Sequence, residues 1–379
     1  ASIINNVVIQ NCSLDPIAMS LTSNPSFSGI TFISNFSRAI KIIEGTLSTN
    51  ATLMPRSVAG ISNIAYIVSH LTVSSNSRLV IQPDVVVKFR TDNWCGWWPL
   101  PPQIRIYGNL IAEGNASHKI YFTAFADDSK GGDSNNDGNT TVPASNDWGY
   151  ASNCDEQYGG LKFYNNSLIA DTVNSLKYCE VSYAGIGIRA ENTHLTVDNC
   201  IIQQSRFGVS IHGAANPDIK NTQFYNIAYC PVELSMFSNP TFTNCSALNV
   251  GLMALAVLPE TYSQSDTIPS RNFGGYSNIG YFMEGNCVIN SGTNITIPEG
   301  IVFKSGNIGD FSDADARGFE VNGKLNIAGS VSNPVVFTNI ADDSYGNPHD
   351  MNQNGSATAP LSQGWTGNWI TFNDISDDL

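Results

Sequence analysis

This sequence carries little charge and few basic side chains. Charged residues are 13% of its 379 positions, with 18 Lys and Arg against 32 Asp and Glu, so the formal net charge is −14. A chain this acidic has no basic patch to neutralise a phosphate backbone, and we expect no nucleic-acid partner. It also has no run of 18 or more apolar residues, so we expect no membrane insertion in this segment.

What the sequence does contain is the material of short strands and tight turns. It has 32 Gly and 17 Pro, abundant Asn, Ser and Thr, and a hydrophobic share of 42%. Lys, Glu, Ala and Leu, which dominate helices, are sparse. The composition therefore predicts an all-β fold.

A long internal repeat is the strongest signal in the sequence. The Asp-rich stretch 126–148 opens with Ala-Asp-Asp-Ser and closes on Trp148, and the stretch 341–365 does the same and closes on Trp365. At a constant offset of 215, residues 23–148 match residues 238–365, and Val86–Lys88 lies over Ile301–Phe303. A shared offset over this length predicts an ancestral duplication.

A shorter period lies between the two Asp-rich stretches. Alternating apolar and polar segments recur at steps of 21, 22 and 23 residues, at 175–179, 195–200, 218–222 and 241–245. Coils of about 22 residues with like residues in register are typical of a solenoid. An antiparallel meander would show two-residue hairpin turns instead. The prediction is one continuous parallel β-helix over residues 1–379.

Three segments carry a resemblance to a known family. They are an I-x-P-x-x-V segment at 81–86 with its echo at 297–302, G-x-L-x-x-x-G at 108–114 and 323–329, and F-T-x-x-A-D-D-S at 122–129 and 337–344. With these the chain resembles the right-handed parallel β-helix proteins of the pectate-lyase-like superfamily, in particular their bacterial cell-surface members. The resemblance implies a secreted or cell-surface protein, but it is weak for function because this fold serves enzymes, adhesins and fibres alike.

The ends of the sequence predict that it continues. It starts at Ala1 without Met or a signal-like segment, and the second copy of the long repeat has no room to finish. We expect a fragment of a longer tandem array whose partners are further copies of the repeat, end to end, and extracellular polysaccharide.

The Asp-rich loops are candidate calcium sites. Asp133–Gly138 fits D-x-N-x-D-G, and Asp350–Gly355 fits D-x-N-x-N-G. Hard cations need several oxygens around a tight turn, although the Glu that closes an EF-hand loop is missing. The alternative is an Asx-turn loop held by its own hydrogen bonds. The candidate ligands are Asp127, Asp128, Asp133, Asn135, Asp137 and Asp147 in the first loop, and Asp342, Asp343, Asp350, Asn352 and Asn354 in the second.

The cysteines and tryptophans give three further hypotheses. Cys179, Cys200 and Cys245 share one coil position and are interpreted as a buried ladder of unbonded thiols. Cys95 and Cys154 lie in long loops and are the one expected disulfide, which would indicate an oxidising compartment. The cluster Trp94, Trp97, Trp98 is either a platform for a sugar ring or a loop packed onto the coil.

An enzyme of this superfamily would work on the outer face of a strand ladder. The outer columns of the best-defined coils are expected to read Gly187, Ser210, Glu233, Ala256 and Arg189, His212, Ser235, Leu258. Only Arg189, His212 and Glu233 among them could transfer protons, and one carboxylate is too few for the paired acids of a glycosidase.

The preferred hypothesis is therefore a non-catalytic extracellular rod, fibre or adhesin stalk, stiffened by calcium. A polysaccharide lyase, a glycoside hydrolase or a carbohydrate-binding module is the alternative.

Overall fold

The computed structural model describes residues 2–92, 94–95, 98–149, 158–164, 173–306, 317–355, 357–360 and 367–373. These residues form 40 strands and no helix, numbered β1 to β40 in chain order. Every pairing between described strands is parallel, except that of β13 (Trp94–Cys95) with β14 (Trp98–Pro99). No described helix is long and apolar enough to cross a membrane.

Three long sheets carry the fold, and successive strands of the chain enter them in the order A, B, C. Sheet A has nine strands: β3 (Ile17–Met19), β6 (Ile40–Ile42), β9 (Tyr66–Val68), β12 (Val86–Phe89), β17 (Ile120–Ala124), β20 (Cys179–Ser182), β23 (Ile201–Gln203), β26 (Gln223–Ile227) and β29 (Ser246–Val250).

Sheet B is the longest, with eleven strands: β7 (Gly45–Leu47), β10 (His70–Val73), β15 (Gln103–Ile106), β18 (Gly160–Phe163), β21 (Ile186–Glu191), β24 (Phe207–His212), β27 (Val232–Leu234), β30 (Leu255–Val257), β33 (Tyr281–Met283), β36 (Val302–Ser305) and β39 (Val336–Asn339).

Sheet C has seven strands: β8 (Ala51–Leu53), β11 (Arg78–Ile81), β16 (Asn109–Glu113), β19 (Asn174–Lys177), β22 (Leu195–Asp198), β25 (Asp218–Lys220) and β28 (Thr241–Thr243).

Smaller sheets continue the coils at both ends. Near the N-terminus β1 (Ile3–Asn5) pairs with β4 (Ser26–Ser28), and β2 (Val8–Gln10) with β5 (Thr31–Ile33). Near the C-terminus one sheet holds β31 (Thr261–Tyr262), β34 (Asn286–Ile289), β37 (Gly318–Val321) and β40 (Ile370–Phe372), and another holds β32 (Asp266–Thr267), β35 (Asn294–Pro298) and β38 (Lys324–Ala328). The predicted all-β parallel solenoid is confirmed.

Side-chain alternation explains the core. In β22 Leu195 and Val197 point inward and are fully buried, while Thr196 and Asp198 face outward. Each coil places such residues beside those of the next coil, so one continuous apolar core runs from Met19 to Val321. Because a strand of three to five residues hydrogen-bonds to both neighbouring coils, the stack needs little local helix or hairpin structure to hold it.

Asparagine makes the turns between sheets C and A. Asn199, Asn221 and Asn244 have φ values of 53°, 47° and 52°, a left-handed conformation that Asn tolerates better than most residues. Their side chains stack as a ladder: the Asn244 amide donates to Asn221 Oδ1 at 3.2 Å, and the Asn221 amide to Asp198 Oδ1 at 2.9 Å.

The cysteine ladder is confirmed as unbonded. Cys179 and Cys200 are buried, Cys245 is half-buried, and all three thiols are free. Each thiol donates a hydrogen bond to a carbonyl of the neighbouring coil, for example Cys200 Sγ to Leu176 O at 3.4 Å. The thiols therefore act as small core groups with a weak donor.

The long repeat is visible in the packing, but its offset is not constant. Arg56 donates to Pro25 O and its counterpart Arg271 to Ser238 O, while the Tyr66 and Tyr281 hydroxyls donate to Met54 O and Pro269 O. Arg56 and Arg271 are 215 residues apart in the sequence, and so are Tyr66 and Tyr281. The link between β33 and β34 then has one more residue than the link between β9 and β10, so the offset becomes 216 until it returns to 215 at the strands β15 and β37.

The two copies also lie on different faces of the solenoid. β9 is in sheet A, whereas its counterpart β33 is in sheet B. Leaving aside the hairpin β13–β14, β33 comes 22 strand positions after β9, which is seven three-sided coils and one further face. The second copy is consequently turned by one face about the axis of the solenoid.

Candidate functional site

Each Asp-rich loop is a strap that crosses the outside of one sheet. Strap 1 (residues 126–148) leaves β17 and runs back over sheet A, where Ser134 O accepts from the backbone N–H of Arg38, just before β6. Strap 2 (residues 341–355) leaves β39 and runs back over sheet B, where Met351 O accepts from the N–H of Met253 at 2.7 Å. The two contacts are equivalent, so each strap ties four successive strands of its sheet.

A buried lysine forms the floor of each strap. Lys88 is on the outer side of β12, its side chain is inaccessible to solvent, and its Nζ donates to Gly132 O at 2.8 Å. Burial lowers the pKa of Lys88 to about 8, against the opposing effect of Asp127, Asp128 and Asp133. The strap therefore encloses a cation that the protein itself supplies.

The counterpart of Lys88 is Lys304, not Phe303. Lys304 Nζ donates to Asp342 O and to His349 O, each at 2.6 Å, and burial lowers its pKa as well. The alignment of Val86–Lys88 with Ile301–Phe303 was wrong because the extra residue before β34 shifts the offset to 216. Phe303 instead points into the core.

The first carboxylate of each strap is committed to hydrogen bonds. Asp127 is 3% exposed and accepts from Thr123 Oγ1 at 2.5 Å, from Ser129 Oγ at 2.6 Å and from Ser129 N at 3.1 Å. Asp342 likewise accepts from Thr338 Oγ1 and Ser344 N. These two candidate ligands bend the chain at the start of each strap, as in the Asx-turn interpretation.

Three further carboxylates of strap 1 converge. One oxygen from each of Asp128, Asp133 and Asp137 lies within 4.8 Å of the other two. Asp133 accepts from the N–H groups of Asp137 and Gly138, at 3.0 and 3.2 Å. Asp128 behaves differently, because both of its carboxylate oxygens are buried without a hydrogen-bond donor, and so is Asn135 Oδ1. Burial raises the pKa of Asp128, and the neighbouring Asp133 and Asp137 add to the rise.

Strap 2 repeats this arrangement with fewer charges. Asp350 accepts from the N–H groups of Asn354 and Gly355, at 3.1 and 2.8 Å, as Asp133 does in strap 1. The buried oxygens without a donor are Asp343 Oδ1, Asn352 Oδ1 and Asn354 Oδ1. Two matched positions, Asp128 with Asp343 and Asn135 with Asn352, therefore have buried oxygens without a donor in both straps. Carboxylate and amide oxygens are ligands that calcium prefers.

Trp148 closes strap 1. Its ring is 1% exposed, stacks on Phe89 at 3.7 Å with an interplanar angle of 6°, and donates from Nε1 to Ser182 O at 2.6 Å. The ring therefore packs strap 1 onto the coil. Asp147, beside it, is exposed and lies outside the group of converging carboxylates.

The outer face of sheet B differs from the expected columns. Arg189 pairs with Ser210 and Glu191 with His212, while Ser210 pairs with Glu233 as expected. The column predicted for β21 was two residues out of register because the step from β21 to β24 is 21 residues on both sides of Gly187, two fewer than the 23 from β24 to β27. A Cβ at Gly187 would lie 2.8 Å from both Gly208 O and Ile202 in the core.

The groups able to transfer protons on this face are crowded and mostly buried. His212 Nε2 and Ser210 Oγ share a hydrogen bond of 2.6 Å, and Glu233 beside Ser210 is 5% exposed. Burial lowers the pKa of His212 to about 3, assisted by Arg189 and Lys162, and raises the pKa of Glu233 to about 7.

A second buried carboxyl group on this face was missed from the sequence. Glu284 follows β33, and burial together with the proximity of Glu233 raises its pKa well above the usual range. Glu284 Oε1 has no hydrogen-bond donor. Paired acids with raised pKa values occur in active sites but also in structural clusters, and the position of Glu233 is occupied by Ala18 in the first copy.

The disulfide and sugar-platform hypotheses concern residues that the structure describes only in part or not at all. Cys154 and Trp97 lie outside the described residues, and of Trp94, Cys95 and Trp98 only the backbone of the hairpin β13–β14 is described. The disulfide and the sugar platform therefore stay predictions, and Trp365 also lies outside the described residues.

The architecture defines the class: the described residues form a parallel β-helix. A family model described as right-handed beta helix region matches residues 150–308. Searches of curated proteins and of solved structures gave no match.

Proposed function

We propose that this chain is a non-catalytic structural or adhesive segment of an extracellular bacterial surface protein, in which the solenoid is a rod and the straps stiffen it. The duplicated anchors carry this proposal. Both copies have a buried lysine beneath the strap, a Thr–Asp hydrogen bond at its start and a backbone hydrogen bond to an earlier coil. Both also have an Arg–Tyr contact, which is Arg56 with Tyr66 in the first copy and Arg271 with Tyr281 in the second. A chain selected for one active site has no need to duplicate such anchors.

The straps strengthen the contacts that a solenoid otherwise lacks. In a solenoid each coil touches only the next one, so coils can separate one at a time. A strap that leaves β17 and bonds next to β6 links coils that are not adjacent. Separating any of the intervening coils then requires the strap to detach as well.

Calcium is the proposed ion for the straps. The oxygens of Asp128 and Asn135 that lack a donor, with the converging carboxylates of Asp133 and Asp137, offer a shell of oxygen ligands. Lys88 competes for the same carboxylates, so we expect modest affinity. Strap 2, where Asn354 replaces a carboxylate, should bind more weakly.

Thermal unfolding tests the role of the ion. Calcium at 100 times its Kd should stabilise the folded chain by about 2.7 kcal/mol and raise Tm relative to chelator. Asp128→Asn should weaken binding about tenfold and so remove about half of this stabilisation, whereas Asp266→Asn, an exposed acid outside the straps, should leave it unchanged. An identical Tm in calcium and in chelator would show that the straps are held by hydrogen bonds without an ion.

Two further experiments test the structural role itself. Replacing strap 1 by a short Gly-Ser linker should increase amide exchange in β6, β9 and β12, which the strap crosses, and leave β22 and β25 protected. Turnover of an acidic polysaccharide that is lost in both His212→Ala and Glu233→Ala would contradict the non-catalytic proposal and favour the lyase or hydrolase.

A further inference from the structure

A pocket opens beside β7, the end strand of sheet B. Its volume is about 290 Å³, and it lies between residues 20–22 and residues 43–49. Leu21, Leu47 and Leu71 form its floor, each 5–7% exposed. Hydroxyl groups line the rim, with Ser20 Oγ 3.1 Å from Thr22 Oγ1. The pocket thus combines an apolar floor with a polar edge, as small-molecule sites do.

In the second copy, aromatic side chains stand at two of the positions that line this pocket. At the offset of 215, Thr22 corresponds to Phe237 and Leu47 to Tyr262. The rings of Phe237 and Tyr262 pack edge to face with centroids 4.6 Å apart. A cavity of about 10 Å³ lies beside the two rings, lined also by Asp266 and Ile268.

The surrounding backbone is alike in the two copies, so side chains alone make the difference. Ser23 N donates to Ser20 O at 3.1 Å, and Ser238 N donates to Ser235 O at 3.1 Å. β7 and β31 are both end strands of their sheets. In the second copy Glu260 adds hydrogen bonds from Ser235 Oγ and Met236 N, whereas the first copy has Gly45 at this position.

We propose that the pocket beside β7 binds a small free monocyclic phenol, whose ring takes the space that Phe237 and Tyr262 fill in the second copy. A leucine floor accepts an aromatic ring by apolar contact, and the hydroxyl rim supplies hydrogen-bond partners for the phenol O–H. A pyranose fits less well, because its many hydroxyls would lie on leucine and the pocket offers no aromatic face for stacking. This site goes beyond the rod function and does not depend on it.

Calorimetric titration of the 379-residue chain with p-cresol, the side-chain analogue of tyrosine, tests the site. The wild type should bind one equivalent saturably. Thr22→Phe with Leu47→Tyr, which copies the second repeat, should weaken binding at least tenfold and raise Tm. Phe237→Thr with Tyr262→Leu should open a second site and give two equivalents. If the filled double variant loses its β circular dichroism, Leu47→Tyr alone serves in its place.

Three results would overturn the proposal. They are no saturable binding of p-cresol by the wild type, equal affinity in wild type and the folded filled variant, and methyl glucoside binding as tightly as p-cresol. The last result would indicate a carbohydrate site instead.

Discussion

The two straps share their anchors and differ in their charges. Lys88 and Lys304 lie beneath them, Asp127 and Asp342 start them, and Ser134 and Met351 bond them to earlier coils. The third converging carboxylate of strap 1, in contrast, is Asn354 in strap 2. The two copies therefore share the contacts that attach the strap, and they differ in the number of carboxylates that could bind a cation.

The straps also differ in where they lie. Strap 1 covers sheet A and strap 2 covers sheet B, because one copy of the repeat spans seven coils and one further face. If the repeat continues in tandem, a third strap would cover sheet C and a fourth would return to sheet A. Each face of a longer rod would then be strapped in turn.

The largest effect on the first copy should come from Trp148→Ala. Loss of the stack on Phe89 and of the bond to Ser182 O leaves a cavity under strap 1, and we expect about 3–5 kcal/mol of lost unfolding free energy. Trp148→Phe, which keeps a ring, is the control and should cost about half as much. Urea unfolding measures both, and a loss below about 1 kcal/mol for the alanine variant would show that the strap does not depend on its Trp.

Lys88→Met and Lys304→Met test whether the two floors are equivalent. Each should cost about 2–3 kcal/mol, because buried carbonyls and nearby carboxylates lose their cation. The pKa of Lys88 is about 8 in the folded chain and 10.5 in the unfolded chain. Folding between pH 8 and pH 10.5 therefore releases a proton from Lys88. Wild-type stability should therefore rise from pH 8 to pH 10 relative to Lys88→Met.

Calcium affinity gives a second readout of the same variant. Removing the ammonium of Lys88 should tighten calcium binding at strap 1, since the carboxylates lose their competing cation. A calcium affinity in Lys88→Met equal to that of the wild type would show that any bound calcium lies away from Lys88.

Glu233→Gln tests the buried acids, which the first copy lacks at the equivalent Ala18. The pKa of Glu233 is about 7 folded and 4.5 unfolded, so the folded state keeps a proton that the unfolded state loses, and stability falls as pH rises through this interval. At pH 8 the variant should be more stable than wild type by on the order of 2 kcal/mol, and at pH 4 the two should be equal. The difference is measured by urea unfolding at both pH values, and its absence would remove Glu233 from the buried pair.

The smallest predicted effect is on calcium affinity, which should differ between the two straps. Asp128→Asn and Asp343→Asn remove matched carboxylates. Each should weaken calcium binding at its own strap about tenfold, and the tighter of the two sites should be the one weakened in Asp128→Asn. Calorimetric titration of both variants decides this. If both lower the same site equally, the two straps do not bind calcium independently.

Prediction from the sequence worked best where one residue type has one structural use. Cys179 and Cys200 marked the core and Trp148 marked the closure of strap 1, because each position recurs, the cysteines at Cys245 and the tryptophan at Trp365. Prediction failed at β21, where the coil leading to β24 is two residues shorter than the next one, and at β34, where one extra residue changed the register. A strand pattern with period two does not reveal such a shift, since a column displaced by two residues keeps the same inside and outside.

The site was predicted only in part for a related reason. The Asp-rich loops were evident as motifs, but Lys88 lies about 40 residues before its strap and was aligned with Phe303. Glu284 was missed because nothing in its neighbourhood distinguishes it from a surface acid.

The sequence alone determined the solenoid, its coil length and its duplication, because these follow from local periodicity and turn chemistry that every coil repeats. Only the tertiary structure decided which side chains meet: Lys88 beneath Asp128, Glu284 beside Glu233, and a pocket beside β7 that Phe237 and Tyr262 fill in the other copy. Such contacts depend on the exact number of residues in each turn and on the face of the solenoid that each strand reaches, and both accumulate along the chain from one coil to the next.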